Sequence, residues 1–153
     1  MPVPVVFHAA TRLHNPGPGH PERSERIEAV LAALRAPDLT ATVTWVEGRP
    51  ATRDELEPVH APGYLDALER LARGGGGALD ADTVMSRDSW DAALAAAGAA
   101  IGAVEQGIER GSAFGATRPP GHHALAARAM GFCLINNVVS RRGTLSGWGS
   151  RAC

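Results

Sequence analysis

From Ser86 to Arg110 the sequence predicts one long helix whose middle, Ala92 to Val104, is uncharged and dominated by alanine and glycine. Side chains this small leave the helix axis within reach of a neighbour, so the segment has to lie close against a sheet or another helix. It falls well short of the roughly 20 apolar residues needed to cross a bilayer, which makes it a packed helix and not a membrane span. Gly111 is placed to close it. Around it stand 153 residues, 44% hydrophobic and 20% charged, the proportions of one ordinary globular domain.

The segments on either side alternate in type. Val3 to Phe7 is short, β-branched and bounded by polar and turn residues, and reads as a first strand, with Pro4 suiting an edge or a strand start. Thr11 to Pro21 is too dense in proline and glycine for regular structure and reads as a stiff loop. Glu22 to Leu34 then carries Ile27, Val30, Leu31 and Leu34 at the spacing of one buried helical face, with Glu22 and Glu25 in its first turn and Pro37 ending it. Thr42 to Val46 reads as a second strand, Thr52 to Glu55 as a capping box, and Pro62 to Arg73 as a helix carrying Tyr64, Leu65, Leu68 and Leu71. The Gly74 to Gly77 run lacks the Lys-Ser/Thr of a phosphate loop and reads as a flexible connector. Ser112 to Thr117 is the third predicted strand. Strands separated by helices predict an α/β fold with a mostly parallel sheet flanked by helices, in which ligands sit beyond the carboxyl ends of the strands.

Composition removes several function classes. Fifteen basic residues, all arginine, stand against 16 acidic ones for a net charge of -1, so the chain has no basic field for a nucleic-acid backbone. Cys133 and Cys153 make no disulfide framework and suit a reducing compartment. The N-terminus lacks the features of a secretion signal, and a cytoplasmic location is the expectation.

The third strand runs into Arg118-Pro119-Pro120-Gly121-His122-His123. Two prolines stiffen this loop and Gly121 permits a sharp turn, which lets adjacent imidazoles address one site instead of opposite faces of a strand. A histidine pair suits general acid-base chemistry, because an imidazole changes charge near neutral pH; a loop pair that merely caps backbone groups is the competing reading. The flanks decide between them. Arg118 to Ala124, followed by Gly131-Phe132-Cys133-Leu134-Ile135-Asn136-Asn137, resembles the signature of the zinc-dependent histone deacetylase superfamily, of the class II and acetylpolyamine amidohydrolase type. His20-Pro21-Glu22-Arg23 with Arg26 resembles that family's first loop, Val59 to Leu65 the start of its second helix, and Asp80 to Thr83 its substrate-rim loop.

The resemblance covers Val5 to Asn137 and implies the N-terminal part of an arginase/deacetylase-like catalytic domain, residues 1–139 here. It implies His123 as the general base and acid and His122 as its electrostatic partner. Gly131 and Phe132 would wall the acyl-lysine channel, Asp82 would hold the substrate backbone at the rim, and Arg26 would sit at the foot of the pocket. The implied reaction is cleavage of the acetyl amide of acetyl-lysine or an acetylated polyamine by zinc-activated water. A catalytic zinc takes three protein ligands as a rule, and the family's Asp-x-His motif, later Asp and oxyanion-stabilising Tyr lie beyond the Asn136-Asn137 segment. This sequence holds none of them. His8, His14, His20 and His60 are scattered without ligand spacing. Residues 140–153, polar and rich in Gly, Ser and Arg, read as an aberrant tail of out-of-frame coding. The expectation is therefore a truncated family member without bound zinc, a catalytically dead or interaction-only fragment whose open sheet exposes strand edges and apolar surface.

Overall fold

The computed structural model describes residues 1–140. Its centre is a three-stranded parallel sheet formed by β1 (Val3–Phe7), β2 (Val43–Glu47) and β5 (Phe114–Ala116), with β1 in the middle. Between β1 and β2 run a short 3-10 helix, Ala9–Leu13, and α1 (Ser24–Leu34). Then come α2 (Arg53–Leu56), α3 (Pro62–Arg73), an antiparallel pair β3 (Gly76–Ala78) and β4 (Val84–Ser86), and α4 (Ser89–Arg110), which leads into β5.

Period-two alternation along β1 splits its side chains between two layers. Val5 and Phe7 meet Ile27 and Leu31 of α1 together with Ala116 of β5, forming one core. Val6 faces the other way, toward α4, where Gly102 lets the helix come close to its methyl group. A larger second core joins α3, α4 and the β3–β4 pair around Leu56, Leu65, Leu68, Ile101, Leu134 and Ile135. The small-residue middle of α4 makes this possible, for Ala92, Ala95, Ala96, Ala97 and Ala99 are all buried. At Gly98 a Cβ would overlap the Arg49 carbonyl oxygen and lie 2.6 Å from the Ala51 nitrogen, so the 49–51 backbone crosses directly over the helix.

β1 and α3 keep their expected bounds, and the Thr52–Glu55 capping box opens α2. Other details differ from the sequence reading: α1 begins at Ser24, which leaves Glu22 ahead of the helix and not in its first turn, and β2 runs one residue later than Thr42 to Val46. α4 starts at Ser89, because the Ser89 hydroxyl accepts from the Ser86 backbone N–H, at 2.7 Å, ahead of the first helical turn. β5 is three residues long, not six. Val30 lies off the buried face of α1 and is 38% exposed. The glycine run is not a flexible connector: Gly76 and Gly77 belong to β3, and Gly75 to Gly77 all take positive φ. A side chain at Gly76 would collide with the Met85 carbonyl, so glycine there allows close strand pairing. Among the described residues no helix is long and apolar enough to cross a membrane.

Candidate active site

β5 ends at Ala116, and the chain turns at once into the proline-stiffened loop that ends in His122 and His123. That loop is seated by a buried ion pair: Arg118 Nε lies 2.7 Å from Glu22 Oε1, and both side chains are almost wholly enclosed. Burial raises the Glu22 carboxyl above its ordinary value while the Arg118 guanidinium pulls it back. The second Glu22 oxygen lies 3.4 Å from His14 Nε2, and His14 Nδ1 lies 2.7 Å from the Ser89 hydroxyl. This order of serine, imidazole and carboxylate has the shape of a nucleophilic triad, but Ser89 is fully buried and no substrate reaches it. Its work is structural. It ties the first loop, the start of α4 and the histidine loop into one buried unit.

Burial, with Arg118 and His20 nearby, lowers the His14 imidazole to about 3, so it is neutral in the fold. In the unfolded chain it titrates near ~6.5, and protons then favour the unfolded state. Stability is therefore full above pH 6.5 and falls as pH drops from 6.5 toward 3, by at most about 1.4 kcal/mol per pH unit. Urea unfolding across this range is expected to show the slope, and His14→Asn to flatten it. The raised Glu22 carboxyl acts in the opposite sense above the ordinary carboxylate value, so the part of the slope that His14→Asn removes, and not the total slope, reports the imidazole.

Gly121 turns the loop, and Asn137 fills the space where its side chain would be. Beyond it the His122 and His123 rings stand side by side, centroids 4.1 Å apart and inclined by 49°. Both border a cavity of about 480 Å³ that also touches Arg26, Asp82, Gly131 and Phe132. The six residues singled out in the sequence thus meet at one cleft, joined there by Glu22 and Arg118. Gly131 takes φ +57, and a Cβ on it would sit 2.9 Å from the His123 ring, so its lack of a side chain gives that imidazole its place. Phe132 follows at φ 66, an uncommon conformation for a bulky residue and a strain of order 1–3 kcal/mol. Two contacts hold it: its N–H donates to the Thr83 hydroxyl at 3.1 Å, and its ring meets the His20 ring edge-on at 4.9 Å. His20 Nε2 is also 2.9 Å from the Asp82 carbonyl oxygen, while Asp80 Oδ1 accepts from the Asp82 and Thr83 N–H groups.

The segment behind Phe132 is pinned from α3 and from the turn just before it. His60 Nε2 accepts from the Asn136 N–H at 2.9 Å, and the Tyr64 hydroxyl donates to the Leu134 carbonyl at 2.7 Å. Burial lowers the His60 imidazole and raises the Tyr64 hydroxyl, favouring their neutral forms. The scattered histidines all have local duties: His8 Nδ1 caps the 3-10 helix, while His14, His20 and His60 brace the loops. Among the described residues no three His, Cys, Asp or Glu side chains converge where a metal ion could sit.

Residues 20–141 match the histone deacetylase domain family. Over 142 residues the chain is 40% identical to an uncharacterised protein of Synechocystis sp. (strain PCC 6803), covering 90% of this chain and 46% of that protein. It is 40% identical over 136 residues to a probable deacetylase of Methanothermobacter thermautotrophicus, covering 88% of this chain and 40% of the other. The crystal structure of the HDA15 HD domain superposes with a TM-score of 0.86 at 28% identity, over 98% of this chain and 44% of that one. The chain belongs to the histone deacetylase family and spans less than half the length of these relatives.

Proposed function

We propose that this chain carries the proton-transfer and channel-wall portion of a deacetylase site whose substrate is acetyl-lysine or an acetylated polyamine. The observation that carries the reading is the pair of imidazoles, 4.1 Å apart, at a cleft that Phe132 also borders. In this reading His123 takes the proton of the attacking water and returns it to the amine nitrogen as the C–N bond breaks, so that the amine leaves uncharged. His122 steadies the charge that His123 gains. Phe132 flanks the aliphatic stem of the substrate, Asp82 accepts from the substrate's backbone N–H at the rim, and Arg26 closes the far end. Zinc, where the family's ligands are present, polarises the acetyl carbonyl.

The test is a single-chain chimera in which residues 1–140 continue into the part of the Synechocystis relative that this chain does not match. It is expected to release acetate from an acetyl-lysine peptide or an acetylated polyamine. His123→Ala is expected to lower its kcat about 10²- to 10⁴-fold, and Phe132→Ala to act mainly on KM. A folded chimera that hydrolyses neither substrate, or is indifferent to His123→Ala, refutes the reading.

For the 153-residue chain by itself we favour a second reading, a form without zinc and without hydrolytic activity, because its described donors do not converge. Metal analysis of the purified chain is expected to find well under one zinc per molecule. One tightly bound zinc per chain would overturn this.

A further inference from the structure

His20 is not among the residues that border the cavity, yet it touches groups on both sides of it. Its ring meets Phe132 edge-on, centroids 4.9 Å apart and planes inclined by 76°. Nε2 lies 2.9 Å from the Asp82 carbonyl oxygen, while Nδ1 lies 3.1 Å from the Glu22 nitrogen and 3.2 Å from its carbonyl oxygen. The Asp82 carbonyl can only accept, so Nε2 carries a proton and Nδ1 is free to take the Glu22 N–H. Glu22 is the residue whose carboxylate seats Arg118 and with it the histidine loop. Next to Asp82, the Thr83 hydroxyl accepts from the Phe132 N–H. One imidazole thus joins the footing of the histidine pair to the rim loop and to the wall of the cleft. Its own support is stiff, for Pro16, Pro18 and Pro21 surround it and Gly17 and Gly19 hold positive φ. The wall calls for such a brace, since Phe132 sits at φ 66, where a bulky residue stays only when its surroundings impose it.

We propose that His20 is a positioning residue of the deacetylase site: by holding the Asp82 carbonyl and the Phe132 ring together, it fixes the rim loop against the channel wall and so sets the grip on the substrate's stem. It acts through these two residues and does not itself meet substrate. What is gripped rests on the substrate reading above; the holding is a property of this chain. A stem clasped between rim and wall is held alike in the ground state and the transition state, so loosening the clasp falls on KM and spares kcat.

Two measurements keep the inference and the substrate reading apart. In the 153-residue chain, His20→Ala is expected to speed hydrogen exchange at the Phe132 amide about tenfold or more, while the amides of Val5 to Phe7 in β1 keep their rates. His20→Gln, whose amide nitrogen reaches to where Nε2 stood, is expected to remain within about threefold of the parent. His20→Asn can still accept from the Glu22 N–H but falls short of Asp82, and is expected to behave as the alanine variant does. In the chimera, His20→Ala is expected to raise KM about tenfold with kcat within about twofold, and His20→Gln to restore KM where His20→Asn does not. Unaltered exchange at Phe132, equal acceleration in β1, or rescue by asparagine in place of glutamine, the mark of a residue that merely caps its own loop, would overturn the proposal. So would an active chimera in which His20→Ala leaves KM unchanged or lowers kcat as much as it raises KM. A chimera that hydrolyses neither substrate refutes the substrate reading alone, and exchange in the 153-residue chain still decides the role of His20.

Discussion

Glu22→Ala is expected to lower the unfolding free energy by about 3–5 kcal/mol, because it strands the Arg118 guanidinium in the interior. Arg118 is 2% exposed and Glu22 3%, so the guanidinium would be left with little solvent in place of its partner. A typical domain has about 5–15 kcal/mol in total, and the substitution removes a large share. Urea unfolding above pH 6.5, where His14 is neutral in both states, isolates the effect. A loss under about 1 kcal/mol would mean that the ion pair is solvated and does not seat the histidine loop. Glu22→Gln, which keeps an acceptor beside Arg118 without its charge, is expected to fall between the two.

The second large effect reverses a common rule. Exchanging glycine for alanine within a helix ordinarily stabilises by about 0.5–1 kcal/mol. Gly98→Ala is expected to destabilise instead, by about 1–3 kcal/mol or more, since the new methyl would overlap the Arg49 carbonyl and press on the backbone at Pro50 and Ala51. The Ala51 N–H donates to the Leu94 carbonyl at 2.9 Å, so this crossing strap is bonded to the helix and has little room to withdraw. Gly102→Ala, one turn further along the same helix, meets only the Val6 methyl at 3.4 Å and is expected to be neutral or mildly stabilising. Thermal midpoints of the two variants are expected to move in opposite directions or, at the least, to differ by several degrees. Equal shifts would show that residues 49–51 yield freely.

This contrast bears on what the sequence alone reveals. Local periodicity and capping placed β1, α3 and the start of α2, because each is set by neighbours within a few positions. The motif residues His122, His123, Gly131, Phe132, Asp82 and Arg26 were legible as a set, and they do border one cavity. What escaped is non-local. Nothing near Glu22 announces that Arg118 will face it, and Glu22 reads as an ordinary acidic residue in a first helical turn. His14 and His60 looked like isolated imidazoles, while their functions depend on Ser89 and Asn136, far along the chain. The glycine run misled for a related reason: glycine marks freedom and close approach alike, and only the position of Met85 tells which applies. Val30 carries the right spacing for burial but lies past the edge of the sheet's cover, beside the cavity.

The two sides of the cleft are fastened to different foundations. His122 and His123 follow from β5, whose Ala116 belongs to the core between α1 and the sheet, and from the Glu22–Arg118 pair. Phe132 follows from Thr83 and from a segment whose Leu134 and Ile135 are embedded in the core of α3 and α4. The two sides are also cross-braced: the His122 N–H lies 3.4 Å from Cys133 Sγ, Gly131 packs on the His123 ring and the Val138 N–H donates to the Gly121 carbonyl, so the gap between imidazole and phenyl ring is held from both cores at once.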